Sequence, residues 1–244
     1  DYLFTGGFPN VINEYFSRGF ISSETYETYI TWIEGDIEKE GRSPDNAYRL
    51  LAQIHANLGS RVSYTELARN AVLSSQKTVQ EYLEILRMMF VVFETEFYSL
   101  DQKRADPKKN KKIYFTDPFI HNCLMAKEKG FLDDAFSYTG KVLLSREHQE
   151  SRFEETAGDN LYPAYAKFYY GNYGTRGNEI DFVGLRRGKY DLLEVKRGQN
   201  IELKKYEGVR NVTVITYDFE KKHSSIKILP FYKYFLSDAS PTAG

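Results

Sequence analysis

Glu179-Ile-Asp181-Phe-Val183, the turn Arg186-Arg187-Gly188-Lys189, and Leu192-Leu-Glu194-Val-Lys196 decide how this chain is read. Side chains on a strand alternate between its two faces. Glu179, Asp181 and Val183 therefore share one face of a first strand. Leu192, Glu194 and Lys196 share one face of a second. Gly188 supplies the positive φ that a hairpin turn needs. If the hairpin brings these faces together, two carboxylates and an ammonium converge on one patch.

Upstream, a helix is expected over 145–161, with Phe153, Ala157 and Leu161 at i, i+4 and i+8. It carries Glu150, Glu154 and Glu155, and Glu154 flanks the apolar stripe, so it can point toward the patch. Mg²⁺ is a hard cation that takes carboxylate oxygens, water and substrate phosphate. A metal so held activates water and stabilises charge on a phosphodiester. The same residues also suit a structural ion-pair cluster or a solvated sheet face; all these readings stay open on spacing alone. Downstream and around the pair, period-two segments at 167–170, 212–217 and 226–229 read as further strands, and 231–236 as a closing helix. The small, polar tail 238–244 is expected to be disordered.

Toward the N-terminus the period becomes helical. Val11, Ile12, Tyr15 and Phe16 form one apolar face, and Tyr26, Ile30, Ile33 and Ile37 another, with Trp32 expected between helices. A helix is expected over 46–58. Ser63-Tyr-Thr-Glu66 is a capping box that opens a short helix over 64–70. A turn at 71–75 leads to a longer helix with Val79, Tyr82, Leu83 and Leu86 inward, which makes a helix-turn-helix. Strands are expected at 88–93 and 113–115, with a lysine-rich loop between them, so that the whole reads as a winged helix. Asp117-Pro118 then restarts a helix, Asp as N-cap and Pro at its first position. Residues 130–140 read as irregular or a short helix.

Charge and composition exclude several classes. Lys and Arg number 33 against 34 Asp and Glu, which excludes a histone-like basic protein. The single Cys123 excludes a disulfide framework and is expected to be a buried small apolar residue. His55, His121, His148 and His223 show no helical ligand spacing. No apolar run approaches the roughly 20 residues of a membrane span. The start, Asp1-Tyr-Leu-Phe, has neither Met nor a signal pattern, so we expect a piece of a longer, cytoplasmic protein.

Asp181 and Glu194-x-Lys196, behind a helix carrying Glu154, resemble the PD-(D/E)XK nuclease superfamily. More of the chain is similar to the C-terminal half of prokaryotic, largely archaeal, AAA+-type ATPases that end in a winged helix and a nuclease-like domain. Tyr2-Leu-Phe-Thr-Gly6-Gly7-Phe-Pro9 resembles that family's glycine-glycine-x-proline segment after the ATPase core. Asp36-Ile-Glu-Lys39, Ser74-Ser-Gln-Lys-Thr78-Val-Gln-Glu-Tyr82-Leu and Lys112-Ile-Tyr-Phe-Thr-Asp117 follow in the family's order. The resemblance covers most of residues 1–232.

The resemblance implies an α+β multi-domain chain. Residues 1–44 would be a helical, lid-like segment after a missing ATPase core. The winged helix would occupy 45–116, connecting helices 117–140, and an α/β nuclease-like domain with a mixed central sheet 141–237. Asp181 and Glu194, with Glu154 as the helix acid, would hold Mg²⁺ or Mn²⁺, and Lys196 would be the catalytic lysine. Arg176 would correspond to a family arginine. No GxxxxGK[ST] loop is present, since Thr139-Gly-Lys141-Val lacks the earlier glycine and the Ser/Thr. ATP would thus belong to the missing part, and the ATPase core would be a partner. An inert nuclease fold acting as a DNA- or protein-binding module of the ATPase is the alternative.

DNA is the other expected partner, with no membrane, and oligomerisation left open. The longer helix of the helix-turn-helix presents Gln76, Lys77, Gln80, Glu81 and Glu84, a weak phosphate surface. The loop offers Lys103, Arg104, Lys108, Lys109, Lys111 and Lys112 against Asp101 and Asp106. These bases can grip phosphates without reading sequence, or form a solvated loop. Arg186, Arg187, Lys189, Arg197, Lys204 and Lys205 form a second basic set, and His148 a candidate neighbour of the acids.

Overall fold

The structure, a computed structural model, describes residues 1–145, 149–173, 178–186, 188–198, 201–206, 209, 211–223 and 226–236. Arg146 to His148, Gly174 to Gly177, Arg187 and the tail 237–244 lie outside the described residues, so the expectations for His148, Arg176, Arg187 and the tail do too. The chain is α+β: N-terminal helices, then a mixed eight-strand sheet with interspersed helices. It divides into two compact units, one of 1–94 with 113–149 and one of 95–112 with 150–244. Residues 95–112 fall in the unit that holds 150–244.

In the first unit, α1 (Tyr2–Thr5), α2 (Pro9–Arg18), α3 (Ser23–Lys39) and α4 (Pro44–Ala56) precede the helix-turn-helix of α5 (Tyr64–Asn70) and α6 (Gln76–Met88). The capping box forms as expected: the Ser63 hydroxyl accepts from Glu66 N–H, and Glu66 reaches back to Ser63 N–H. Ser75 caps α6 by accepting from Thr78 N–H. Val79, Tyr82, Leu83 and Leu86 face inward, each side chain contributing about 1.5–3 kcal/mol by burial. α7 (Pro118–Glu128) starts at Asp117, whose carboxylate accepts from Phe119 and Ile120 N–H. Cys123 is fully buried, and burial pushes its thiol pKa up. α8 (Ala135–Leu144) takes up the short-helix alternative for 130–140 and extends past it to Leu144.

Two expectations are corrected here. Met88 to Phe93 is not a strand: α6 runs to Met88 and β1 (Val92–Ser99) begins later. A continuous apolar run has no period that separates helix from strand. Trp32 is not packed between helices; it is 39 % exposed and meets Tyr29 of its own helix edge-on.

The second unit is built on the sheet. Besides β1 it holds β2 (Arg104–Asp106), β4 (Lys167–Tyr173), β5 (Asn178–Arg186), β6 (Lys189–Lys196), β7 (Val212–Thr216) and β8 (Lys227–Pro230). Strand order is β2-β1-β4-β5-β6-β7-β8, and β3 (Lys112–Phe115) pairs with β1. β4, β5 and β6 run antiparallel, while β1–β4, β6–β7 and β7–β8 are parallel. Gly188 turns the β5–β6 hairpin at φ 75°. One sheet face carries Val183, Leu192, Val212, Val214 and Ile228, all buried. The helices of this unit are α9 (Gln149–Leu161) and α10 (Phe231–Leu236). Phe153 of α9 packs against Phe231 of α10.

Candidate active site

The β5–β6 register decides where the acids go. Val183 pairs with Leu192, so those two side chains share a face. Relative to β4, β5 carries one extra residue between Ile180 and Val183, since Tyr169 pairs with Val183 and Gly171 with Ile180; Asp181 sits in this irregularity. The ladder pairs Phe182 with Leu193, and beyond it Asp181 Oδ2 accepts the Val195 N–H at 2.8 Å. A side-chain acceptor there takes a backbone donor at the end of the ladder and fixes the Asp181 rotamer.

Three lysines meet these acids. Lys112, the first residue of β3, lies 3.0 Å from Glu154 Oε1, 2.8 Å from Glu179 Oε1 and 3.9 Å from Asp181 Oδ1. Its residue is only 2 % exposed, and its ammonium also approaches the Tyr170 ring. Lys196 Nζ lies 2.9 Å from Glu194 Oε1. Lys205, in the 3₁₀ turn Leu203–Tyr206, donates to the same Glu194 Oε1 at 2.8 Å. Glu194 Oε2 is buried, with no partner at hydrogen-bond distance among the described residues, and the Tyr206 phenol stands near this carboxylate.

Electrostatics follow from this crowding. Burial pushes the Asp181 carboxyl well above its ordinary pKa; Glu154 and Glu194 push it further, against Lys112 and Lys196. Burial alone would lower Lys112, but Glu154, Asp181 and Glu179 outweigh it and hold the amine above the usual lysine value. Lys196 behaves alike: burial lowers it, and Asp181 and Glu194 more than reverse that. Burial, then Glu194 and Asp181, raise the Tyr206 phenol. Both lysines are therefore cations at neutral pH that offer N–H donors.

The structure thus brings Glu154, Asp181, Glu194 and Lys196 into one cluster. It differs from the expected ligand set in one respect. Among the described residues, no group of three or more acid, histidine or cysteine side chains is disposed to hold a metal ion. Glu154 is engaged by Lys112, which leaves Asp181 and Glu194 as the carboxylates that could take one. Glu155 turns elsewhere, buried in a 3.0 Å pair with Arg152.

The bases expected to contact DNA are placed as follows. Lys77 is exposed on α6, 4.0 Å from Glu81. Lys103, Arg104, Lys108 and Lys109 are exposed. Lys111 and Lys112, by contrast, are both buried. Lys111 donates to Pro107 O at 2.7 Å and lies 3.5 Å from Glu96. Of the second basic set, Arg197 stacks over Tyr217 and Lys205 serves Glu194. By sequence alone Lys112 is a loop base and Lys205 a surface charge. The one signal for Lys112 is its place at the head of the Lys-x-Tyr-Phe-x-Asp segment. No helix among the described residues is long and apolar enough to cross a membrane.

A protein-family model described as "Domain of unknown function (DUF8612)" matches residues 1–130. No curated protein and no solved structure matches the chain.

Proposed function

The chain belongs to the DUF8612 family through residues 1–130, and from that premise and the acid–lysine cluster we propose that it is the C-terminal region of an AAA+-type ATPase that acts on DNA. In this reading α5 and α6 belong to a winged helix that binds DNA. The sheet unit is a PD-(D/E)XK-like, metal-dependent DNA endonuclease domain. The order of the quoted family segments supports the ATPase link. One observation carries the nuclease reading: Glu194 Oε2 is buried with no hydrogen-bond partner among the described residues, in the cluster that also holds Asp181 and Lys196.

A buried oxygen left unpaired costs about 1–3 kcal/mol or more, and a bound cation would remove that cost. Two carboxylates with water and a phosphate oxygen suit Mg²⁺ or Mn²⁺. Asp181 and Glu194 would hold the ion, which supplies Lewis-acid stabilisation of phosphodiester charge and a more acidic water. Asp181 is oriented by Val195 N–H. Lys196 keeps its proton beside Glu194 and directs N–H donors at a water or a phosphate oxygen. Lys205 balances the charge that Lys196 leaves when it turns to substrate.

Cleavage of plasmid or short duplex DNA in Mg²⁺ or Mn²⁺ tests this. Asp181→Ala and Lys196→Ala should each lose at least 100-fold of the activity, roughly the range that removal of one electrostatic stabiliser costs. Equal activity in all three proteins would sink it. The alternative, an inert fold that serves as a DNA- or protein-binding module, is favoured by the burial of Lys112 among three acids, as in a structural ion-pair cluster. Salt-sensitive DNA binding without cleavage would select it.

A further inference from the structure

We infer that the DNA taken beside the acid–lysine cluster is unpaired: a base of a single strand stacks on the Tyr217–Arg197 pair, and exposed cations at the same end of the sheet hold its phosphates. This rests on the reading of the cluster as a nuclease centre and names the substrate class for it. Two routes place Tyr217 beside the cluster. In the parallel β6–β7 ladder Lys196 pairs with Thr216, and Arg197 and Tyr217 follow directly on their two strands. The Tyr217 ring also meets the Phe153 ring edge-on at 5.7 Å. Phe153 precedes Glu154 in α9, and Lys112 holds Glu154 at 3.0 Å.

The pair has the chemistry of a stacking platform. The Arg197 guanidinium carbon stands 5.3 Å from the centroid of the Tyr217 ring. Phe153 is buried and steadies that ring, whereas Tyr217 itself is 49 % exposed and can take a partner from solvent. Aromatic rings and guanidinium planes both stack on nucleobases. Inside a duplex each base already has both faces covered by its neighbours, so an unpaired base is the one that can offer a face without first being pulled from the stack. The strand registers bring cations to the same place. Arg104 pairs with Ser99, Ser99 with Asn172, and Asn172 with Glu179, one row across β2, β1, β4 and β5. Lys103 and Arg104, both exposed, therefore lie at the sheet end that holds the acids. Lys204 is exposed in the 3₁₀ turn beside Lys205. Such cations offset the repulsion between phosphates and the carboxylates of the cluster. A positive track combined with stacking rings is how single strands are held without regard to sequence.

Fluorescence anisotropy of the full 244-residue chain tests the inference, with a labelled single-stranded oligonucleotide and the same sequence as a blunt duplex, both in chelator without metal. Wild type should bind the single strand. Tyr217→Ala should weaken that binding about tenfold, within the range that losing one stacking ring costs, and leave duplex binding within about twofold. Tyr217→Phe, which keeps the ring, should bind the single strand within about twofold of wild type. No single-strand binding by wild type at low salt overturns the inference. Unchanged single-strand binding in Tyr217→Ala, or an equal loss on both DNAs, overturns it as well. Should Tyr217→Ala fail to fold, Tyr217→Leu, which keeps an apolar contact with Phe153, decides by the same criteria. Binding without metal is read independently of cleavage. Tyr217-dependent strand binding in a protein that cleaves no DNA supports the platform and removes the nuclease reading. Metal-dependent cleavage with Tyr217-independent binding overturns the platform and leaves that reading standing.

Discussion

Gly7 N–H donates to Asp117 Oδ2 at 2.7 Å, across 110 residues of sequence. The other oxygen, Oδ1, accepts from Phe119 N–H at 2.7 Å and Ile120 N–H at 3.3 Å. One carboxylate thus caps α7 and ties the N-terminal segment to it. Gly6 makes room for this. Its φ is 56°, and a Cβ there would lie 2.0 Å from Asp117 Oδ1. The Gly-Gly pair that marks the family resemblance has, in this chain, a structural task.

Asp117→Ala should therefore cost more than an ordinary cap. Cap loss alone is about 1 kcal/mol, and losing the exposed Gly7 hydrogen bond to a carboxylate adds about 0.5–1 kcal/mol. Gly6→Ala should be at least as harmful, since it strains both the backbone and the carboxylate. Urea unfolding of the first unit's transition checks this, and an unchanged midpoint in either variant would refute the account.

Val72 and Phe90 end the two helices of the helix-turn-helix in the same way. Val72 N–H bonds Arg69 O and Leu73 N–H bonds Ala68 O; Phe90 N–H bonds Arg87 O and Val91 N–H bonds Leu86 O. Both are Schellman endings with a non-glycine residue at positive φ, 54° and 56°. The side chains are 74 % and 78 % exposed, so little packing compensates for the strain. Val72→Gly and Phe90→Gly should each stabilise by about 0.5–1 kcal/mol, the relief of left-handed strain less the added freedom of the unfolded chain. A lower denaturation midpoint in either would show that its side chain is used.

Glu14 gives the first unit a pH dependence. Burial raises its pKa, but the Thr25 hydroxyl at 2.6 Å, Ser22 and Arg18 lower it more, so the net direction is downward. A depressed carboxyl contributes stability above its unfolded pKa of about 4.3, lost as pH falls through the folded value. Glu14→Gln should therefore destabilise by about 1–2 kcal/mol at pH 7, with the gap closing below about pH 4. Thermal melts from about pH 7 to pH 3 check it; a gap that widens in acid would contradict the assignment.

Much of this is legible in the sequence. The hairpin that carries Asp181, Glu194 and Lys196 is legible from strand period and the Gly188 turn, whereas the irregularity in β5 between Ile180 and Val183, which breaks the expected alternation, is not. The Ser63–Glu66 box and the Asp117 cap are local hydrogen-bond patterns that sequence spacing carries directly. The role of Lys112 is not legible, because its burial depends on Glu154 and Glu179, 42 and 67 residues away. A lysine at the end of a basic loop looks the same in sequence whether it meets solvent or carboxylates. The end of α6 is obscured for another reason: Met88 to Phe93 is apolar at every position, so its sequence holds no phase.

The loop bases divide into two groups with different expected roles on DNA. Lys103, Arg104, Lys108 and Lys109 are exposed, whereas Lys111 and Lys112 are held by the protein. Replacing the four exposed bases with alanine should weaken duplex binding nearly uniformly across sequences. Every phosphate that the protein then leaves unneutralised should reduce the slope of log K against log salt by about 0.9. Lys111→Ala should leave that slope within experimental error of wild type, because its ammonium already serves Pro107 O and Glu96. Fluorescence anisotropy of a labelled duplex at several salt concentrations measures both slopes. A larger drop in slope from Lys111→Ala than from Lys108→Ala would mean that the loop rearranges on DNA and that exposure in the free chain does not identify the bases that touch phosphate.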